Sequence, residues 1–270
     1  AEDRPAAPSS PSPMIVSQGS DMTRVLLLGG TTEASQLARR LSALGIDAVF
    51  SYAGRTDAPV AQPLPTRIGG FGGAEALGRY LKDESITHVV DATHPFAAQM
   101  SRNAVAACGS AGIPYCAYER APWVAGAGDR WTHVPDIAAA VVALPDVPVR
   151  IFLAIGKQNL RDFAAKAQHH YLLRLVDPPE GPLPLPDAAA VIARGPFDEA
   201  GDRVLLKNHR IDLIVAKNAG GTGARAKLDA ARDLGVPVIL VDRPGLPPRR
   251  IADSIDKVLA FLGHRADLGV

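Results

Sequence analysis

The segment Arg24–Ala34 reads RVLLLGGTTEA: a short apolar run, two glycines, two threonines and the beginning of a helical pattern. An apolar run of this length followed by helical spacing is typical of a β-strand that turns directly into an α-helix. Glycines at such a turn permit positive φ and let a ligand approach the backbone closely. The segment therefore predicts the first β-α unit of an α/β fold, with a turn suited to ligand binding.

The same alternation continues along the chain. Strand-like runs lie at 25–28, 47–52, 87–92, 113–118, 149–155, 171–176, 191–194, 211–216 and 236–241. Helical spacing is found at 33–44, 72–81, 97–111, 224–234 and 251–262. Regular β-α alternation predicts parallel sheets with helices on both faces.

Two stretches of the chain resemble each other. One reads VVDATHPFAAQMSRNAVAACGSAGIPYCAYERAPW and the other LIVAKNAGGTGARAKLDAARDLGVPVILVDRPGLP. Both follow the order strand, polar loop, helix, Gly-apolar-Pro, strand, acid-Arg, although any β-α-β unit shares much of this pattern. We expect an α/β protein of two Rossmann-like parallel-sheet domains with an interdomain cleft, the first at 23–122 and the second at 123–270.

Composition limits the classes of partner. The formal net charge of the 270 residues is +1 and only 5% of them are aromatic, so neither a nucleic acid nor an anionic membrane is expected as partner. An acidic ligand would have to be bound by a local cluster of cations. The two cysteines stand in apolar surroundings without a CxxC spacing, and no Cys/His pattern predicts a metal site.

Residues 1–22 differ from the rest of the chain. They are rich in Pro, Ala and Ser and have neither a basic n-region nor a hydrophobic h-region. This composition predicts a disordered leader or a remnant of cloning rather than a signal peptide. We therefore expect the folded part to begin near Thr23 and the protein to be cytoplasmic.

The first turn predicts a phosphate-binding corner. Gly29 and Gly30 expose the backbone, and Thr31 or Thr32 can cap the following helix, whose N-terminal N–H groups attract an anion such as a pyrophosphate. Glu33 would repel phosphate, so its side chain must turn away. An ordinary tight turn would explain the same residues without a ligand.

The end of the second strand bears on the choice of cofactor. Folds that bind NAD usually place an acid there to hold the ribose hydroxyls, but here no acid follows until Asp57. Ser51, Arg55 and Thr56 instead offer one cation and two hydroxyls, which suit the 2′-phosphate of NADPH. The alternative is a solvated arginine in a loop.

Thr93 and His94 follow the strand at 87–92, at the sheet edge where ligands bind in open α/β folds. His94 precedes Pro95 and is therefore held extended. It could orient cofactor or substrate or donate a proton, and Thr93 could contact the cofactor. A helix-capping pair without chemistry is the other interpretation.

The second half contains loops with glycines and cations. The loop Lys217–Gly223 reads KNAGGTG, in which exposed N–H groups of Gly221 and its neighbours, with Asn218, are typical of anion binding. Basic residues at or near predicted strand ends and in this loop are candidate substrate ligands: Lys157, Arg174, Arg194, Lys217, Arg225 and Lys227. Taken singly, each would more often be a solvated surface group.

Four motifs resemble those of the precorrin-6A reductase family. They are GGTTEA at 29–34, ATHPFA at 92–97, IGKQNL at 155–160, and KNAGG at 217–221 with Lys227 and VDRP at 241–244. The resemblance spans about 24–262. It implies an NADPH-dependent enzyme of cobalamin biosynthesis in which cofactor and macrocycle meet in the cleft, and which reduces one ring double bond to give precorrin-6B.

Such a macrocycle carries many carboxylates, which the clustered cations would bind. His94 and Lys217 are candidates for the proton donor, with solvent and the substrate's own acids as rivals. Three other functions stay open: reduction of cobalt-precorrin-6A, another Rossmann-type dehydrogenase of tetrapyrrole metabolism, and a non-catalytic two-lobed NADP(H)-binding protein.

Overall fold

A computed structural model describes residues 22–54 and 59–263. The predicted leader therefore lies outside the described residues except for Met22, and so do Arg55 and Thr56. The elements of the first half are β1 (Arg24–Leu28), α1 (Thr32–Ala43), β2 (Asp47–Tyr52), β3 (Thr66–Ile68), α2 (Ala74–Asp83), β4 (His88–Asp91), α3 (Ala98–Ala111) and β5 (Tyr115–Tyr118).

The second half begins with β6 (Trp131–Val134), α4 (Ile137–Val142) and β7 (Arg150–Ala154), followed by a 3₁₀ segment (Lys157–Ala165). It continues with β8 (His170–Leu175), β9 (Ala188–Ile192), α5 (Glu199–Asn208), β10 (Leu213–Lys217), α6 (Ala226–Leu234), β11 (Val238–Val241), β12 (Ile251–Ala252) and α7 (Ile255–Phe261). No helix in the described ranges is long and apolar enough to cross a membrane.

The strands form two six-stranded sheets, ordered β12-β5-β4-β1-β2-β3 and β6-β11-β10-β7-β8-β9. The strand pairings are parallel in both sheets. The predicted fold class is thereby confirmed. The two stretches of similar sequence occupy equivalent positions. β4-α3-β5 holds the same place in the strand order of the first sheet as β10-α6-β11 holds in the second.

Helices cover both faces of each sheet because their apolar residues recur at helical spacing. In α1, Leu37 and Leu41 are fully buried against β1 and β2, which stabilises the fold by roughly 1.5–3 kcal/mol for each side chain. The opposite face of the first sheet packs against α2 and α3. In the second sheet, α4 and the 3₁₀ segment cover one face, and α5 and α6 cover the other.

The two sheets exchange their outermost strands. β12 pairs with β5 of the first sheet, where Ile251 lies opposite Ala117, and α7 packs into the first core. β6, which follows β5 in the chain, pairs instead with β11 of the second sheet. The segment 251–262, expected in the second domain, thus lies with the first sheet, and the predicted helix begins at Ile255 instead of 251. The boundary near residue 122 stays a prediction.

Candidate active site

The glycine turn after β1 is shaped by packing and by backbone conformation. A Cβ on Gly29 would lie 2.1 Å from Cζ of the buried Phe50 ring, and Gly30 has φ +121°. Thr31 caps α1 by accepting from the Ala34 N–H at 3.1 Å, and its hydroxyl donates to the Ala92 carbonyl at 2.8 Å. The N-terminus of this 12-residue helix is thus fixed beside the end of β4, as an anion site requires.

The negative charge of Glu33 does not prevent a phosphate from binding at this turn. Its carboxylate accepts a charge-assisted hydrogen bond from Nη1 of Arg120 at 2.8 Å, and both side chains are mostly buried. Arg120 also donates from Nε to the Ala219 carbonyl at 2.8 Å. The first turn of α1 is therefore connected to the glycine loop that follows β10, and the negative charge of Glu33 is compensated.

An arginine that the sequence analysis missed lies at the carboxyl end of β2. Ser51 is 5% exposed and accepts from Nη1 of Arg67 at 2.9 Å. The guanidinium of Arg67 also donates to the Gly69 carbonyl and lies 3.8 Å from the centroid of the Phe71 ring. β3 thus supplies a cation beside the predicted 2′-phosphate site, independently of Arg55.

Asp91 organises the loop after β4. This carboxylate is 3% exposed and accepts from the N–H and hydroxyl of Thr93, at 3.0 and 2.7 Å, and from the hydroxyls of Ser101 and Tyr115. Burial and the neighbouring Asp91 raise the pKa of Tyr115, which keeps that phenol a donor. The hydroxyl proton of Thr93 is directed into this network, and contact of Thr93 with a cofactor stays a prediction.

His94 lies at the cavity wall in a defined tautomer. Its Nδ1 accepts from the Phe96 N–H at 3.2 Å, so the neutral ring carries its proton on Nε2. Burial lowers the pKa of His94 to about 4, and the cations Arg120, Lys217 and Arg243 contribute in the same direction. At neutral pH the ring is therefore an uncharged hydrogen-bond donor rather than an acid.

Because the folded pKa of His94 is lowered, the unfolded chain binds this proton more readily between about pH 4 and 6.5. Stability is therefore lost as pH falls through this window. We expect His94→Asn, whose Oδ1 can accept from the Phe96 N–H, to reduce this loss by about 1 kcal/mol or less, because His94 is partly exposed and solvent screens its charge interactions. Urea unfolding of the wild type and of His94→Asn between about pH 4 and 6.5 measures the free energy of unfolding. Parallel pH profiles for the two proteins would contradict a neutral His94 ring at these pH values.

A cavity of about 470 Å³ opens between the carboxyl edges of the two sheets. The first half contributes His94, Phe96 and Ala97, and the second half contributes the ends of β7, β8 and β10 with the loops that follow. Its charged lining consists of four cations and one acid: Lys157, Arg174, Lys217, Lys227 and Asp177. A chain of net charge +1 thus concentrates positive charge in one cleft.

Lys217 joins the two halves of this cavity. Its Nζ donates to Oδ1 of Asn159 at 3.1 Å and lies 5.4 Å from the centroid of the Phe96 ring. His94 is two residues before Phe96, and its pKa responds to Lys217. The two candidate catalytic residues therefore do come together, one from each sheet.

Other residues expected to bind substrate do not line the cavity. Asn218 is 4% exposed, and its amide accepts from the N–H of Trp123 at 2.8 Å and donates to the carbonyl of Trp123 at 3.1 Å. The Gly221 carbonyl accepts from Nε1 of the same tryptophan at 2.6 Å. Asn218 and Gly221 therefore anchor the segment at Trp123 to the loop after β10, and the binding role expected from their sequence stays a prediction.

Two arginines are also directed elsewhere. Arg225 donates to Asp229 at 3.1 Å and lies 5.7 Å from the centroid of the Trp131 ring. Arg194 is 55% exposed and 3.7 Å from Asp177, a residue of the cavity wall. Arg225 forms an ion pair on α6, and its expected substrate role, like that of Arg194 at the margin of the cavity, stays a prediction.

The geometry can be compared with known proteins. A family model described as Precorrin-6x reductase CbiJ/CobK matches residues 24–263. The chain belongs to this precorrin-6x reductase family. The resemblance carried by the four sequence motifs is thereby confirmed, and the chain is an oxidoreductase.

Members of the precorrin-6x reductase family are similar to this chain over most of their length. The precorrin-6A reductase of Rhodobacter capsulatus is 69% identical over 89% of this chain and 96% of its own, and that of Sinorhizobium sp is 48% identical over 89% and 93%. A solved structure named CobK precorrin-6A reductase has a TM-score of 0.87 and 68% identity, covering 92% of this chain and all of the other. The cobalt-precorrin-6A reductase of Priestia megaterium is 29% identical over 88% and 97%.

A precorrin-6x reductase uses a nicotinamide cofactor, and the residues present fit one. The turn requires glycine at both positions, because a Cβ on Gly29 would clash with the Phe50 ring and Gly30 adopts positive φ. The helix N-terminus offers N–H groups to a pyrophosphate, while Ser51 and Arg67 extend the site along the edge of the first sheet. His94 marks the point where this edge meets the cavity.

Proposed function

We propose that this reductase converts precorrin-6A to precorrin-6B with NADPH in the synthesis of the corrin ring. The observation that carries the proposal is a cavity at which both sheets end, lined by four cations and one acid. A carboxylate-rich macrocycle fits such a lining because charge-assisted hydrogen bonds to Lys and Arg offset its desolvation. The glycine turn of the first sheet lies on the side of the cavity where His94 and Phe96 stand.

In this proposal NADPH supplies the hydride, and the chain positions it and completes the reduction. Gly29, Gly30, Thr31 and Thr32 would hold the pyrophosphate, and His94 would stand on the side of the nicotinamide. Adding a hydride to a ring double bond also requires one proton. We assign the proton to the Lys217 ammonium, because His94 is uncharged at neutral pH, and His94 orients the reactants through its Nε2–H.

The preference for NADPH over NADH is assigned to Ser51 and Arg67, together with Arg55 and Thr56. Arg67 presents its guanidinium next to Ser51 at the carboxyl end of β2, held by the Phe71 ring. A planar guanidinium binds a phosphate with two parallel hydrogen bonds. A cation at this position favours the cofactor with the additional phosphate.

We expect Arg67→Gln to raise the KM for NADPH about 10- to 100-fold, the loss of one or two charge-assisted hydrogen bonds, with little change in the KM for NADH. Steady-state kinetics with both cofactors measures the ratio. Arg79→Gln, which removes an exposed positive charge from α2, serves as the matched control. Equal effects of Arg67→Gln on both cofactors would remove the 2′-phosphate role.

The activity itself is tested by mixing the protein with NADPH and precorrin-6A and following loss of the reduced-nicotinamide absorbance. Consumption of NADPH with formation of precorrin-6B supports the proposal, whereas binding of NADPH without consumption would favour a non-catalytic binder. The same assay with cobalt-precorrin-6A in place of precorrin-6A tests the alternative substrate. We favour the metal-free substrate, since relatives named precorrin-6A reductase are 43–69% identical and those named cobalt-precorrin-6A reductase are 28–29% identical.

A further inference from the structure

The wall of the cavity that β8 forms contains an arginine of fixed orientation. Arg174 pairs with Asp202 of α5, and the two side chains are 11% and 5% exposed. The guanidinium carbon lies 4.0 Å from the centroid of the Phe197 ring and 5.1 Å from that of Phe152. Since a guanidinium has five N–H donors and this pair uses one carboxylate oxygen, Arg174 retains donors for a ligand in the cavity.

A second cation is buried next to this pair. Lys227, in the first turn of α6, is 8% exposed; its ammonium donates to the Ala224 carbonyl and lies 5.1 Å from the centroid of a Trp123 ring. Burial lowers the pKa of Lys227 to about 8, Asp202 acts to raise it, and Arg174 and Arg120 act to lower it. An ammonium has three donors, and a buried cation costs free energy unless an anion compensates it.

We propose that Arg174 and Lys227 form a subsite for one carboxylate of the ligand, with Asp202 holding Arg174 in place. The charges support this: Arg174 and the buried Lys227 have one buried acid near them, Asp202, which pairs with Arg174. This leaves one positive charge at a wall that lines the cavity. If the cluster only stabilised the fold, the Arg174–Asp202 pair would already be neutral and a second buried cation would not be needed. The ligand class, a carboxylated tetrapyrrole, rests on the proposed function.

The subsite explains why a lysine is buried at the start of a helix. A cation at the N-terminus of a helix is unfavourable, because the helix dipole is positive there. Lys227 stands in the first turn of α6, so the helix dipole opposes its charge, and the Ala224 carbonyl and Trp123 ring offset this cost only in part. A ligand carboxylate at this point would compensate both the ammonium and the helix terminus.

The test uses uroporphyrin, a tetrapyrrole with eight carboxylates, as a binding probe that needs no turnover. Binding to the full chain is followed by quenching of tryptophan fluorescence, since Trp123 lies under Lys227. We expect Lys227→Met, which keeps the apolar stem, to weaken uroporphyrin binding about 10- to 100-fold, the effect of one charge-assisted hydrogen bond. Lys207→Met, at an exposed lysine of α5, is the matched control and should bind as the wild type does.

The wild-type protein gives a second readout that does not depend on the folding of a variant. Uroporphyrin affinity should fall as pH rises through about 8, where free Lys227 loses its proton, and this dependence should be absent in Lys227→Met. A flat wild-type profile, absence of uroporphyrin binding, or equal affinities of Lys227→Met and Lys207→Met would each overturn the subsite. Failure of the proposed function would appear separately, as absence of NADPH consumption with precorrin-6A while uroporphyrin still binds through Lys227.

Discussion

Gly220→Ala is expected to lower the free energy of unfolding by about 3–5 kcal/mol. Gly220 has φ +71°, and an added Cβ would lie 2.2 Å from the Ala121 carbonyl oxygen and 2.5 Å from Nη2 of Arg243. The carbonyl belongs to the linker backbone, which Asn218 holds two residues later at Trp123. Neither side can therefore yield at low cost. Urea unfolding measures the change as a shift in the midpoint.

The same loop supplies the control. Gly223 has no atom within 4 Å of a built Cβ and does not adopt a left-handed φ, so Gly223→Ala should change stability by less than about 0.5 kcal/mol. Both variants remove one glycine from the same loop, so the difference between them isolates the close contact with the linker. Equal midpoints for the two variants would show that the linker accommodates the methyl group.

Local patterns predicted most of the fold because the forces behind them are local. The spacing of Leu37 and Leu41 predicts one buried face of α1, and the structure places both against the first sheet. Four elements with weaker patterns were not predicted. β3 and β6 are short strands at the edges of their sheets, and α4 is a helix of six residues. The helix α5 has few buried apolar residues.

The exchange of β6 and β12 could not be predicted from pattern. The two sheets have equivalent strand orders, so the free edges of β5 and β11 offer the same hydrogen-bonding partners. A strand as short as Ile251–Ala252 carries no alternation that would select one edge. Its place depends on tertiary packing, chiefly of Val258 and Leu259 of α7 in the first core.

The candidate site, like the fold, was predicted from the sequence only in part. Lys157, Arg174, Lys217 and Lys227 were found because cations near the carboxyl ends of parallel strands meet at one edge. Arg67 was missed because it stands on the three-residue strand β3, which carries no periodic pattern. Asn218 and Arg225 were assigned to ligand binding by residue type, whereas the structure uses their polar groups within the protein.

Lys217→Met is expected to lower kcat for precorrin-6A reduction about 100-fold or more, the contribution of a positioned acid. Lys217 extends from β10 towards Phe96 of the first half, and His94 beside it is neutral at neutral pH. The KM for NADPH should stay within about twofold, because the proposed cofactor site lies on the first sheet. Single-turnover measurements of NADPH oxidation separate this step from product release.

Lys217→Arg distinguishes proton donation from charge alone. An arginine keeps the positive charge but does not release a proton at neutral pH, so it should not restore the rate if Lys217 is the acid. Lys157→Met removes an exposed cavity cation and should raise the KM for substrate with little effect on kcat. A Lys217→Arg enzyme with the wild-type single-turnover rate would reduce the role of Lys217 to electrostatic binding and return the proton to solvent or to the substrate's own carboxylic acids.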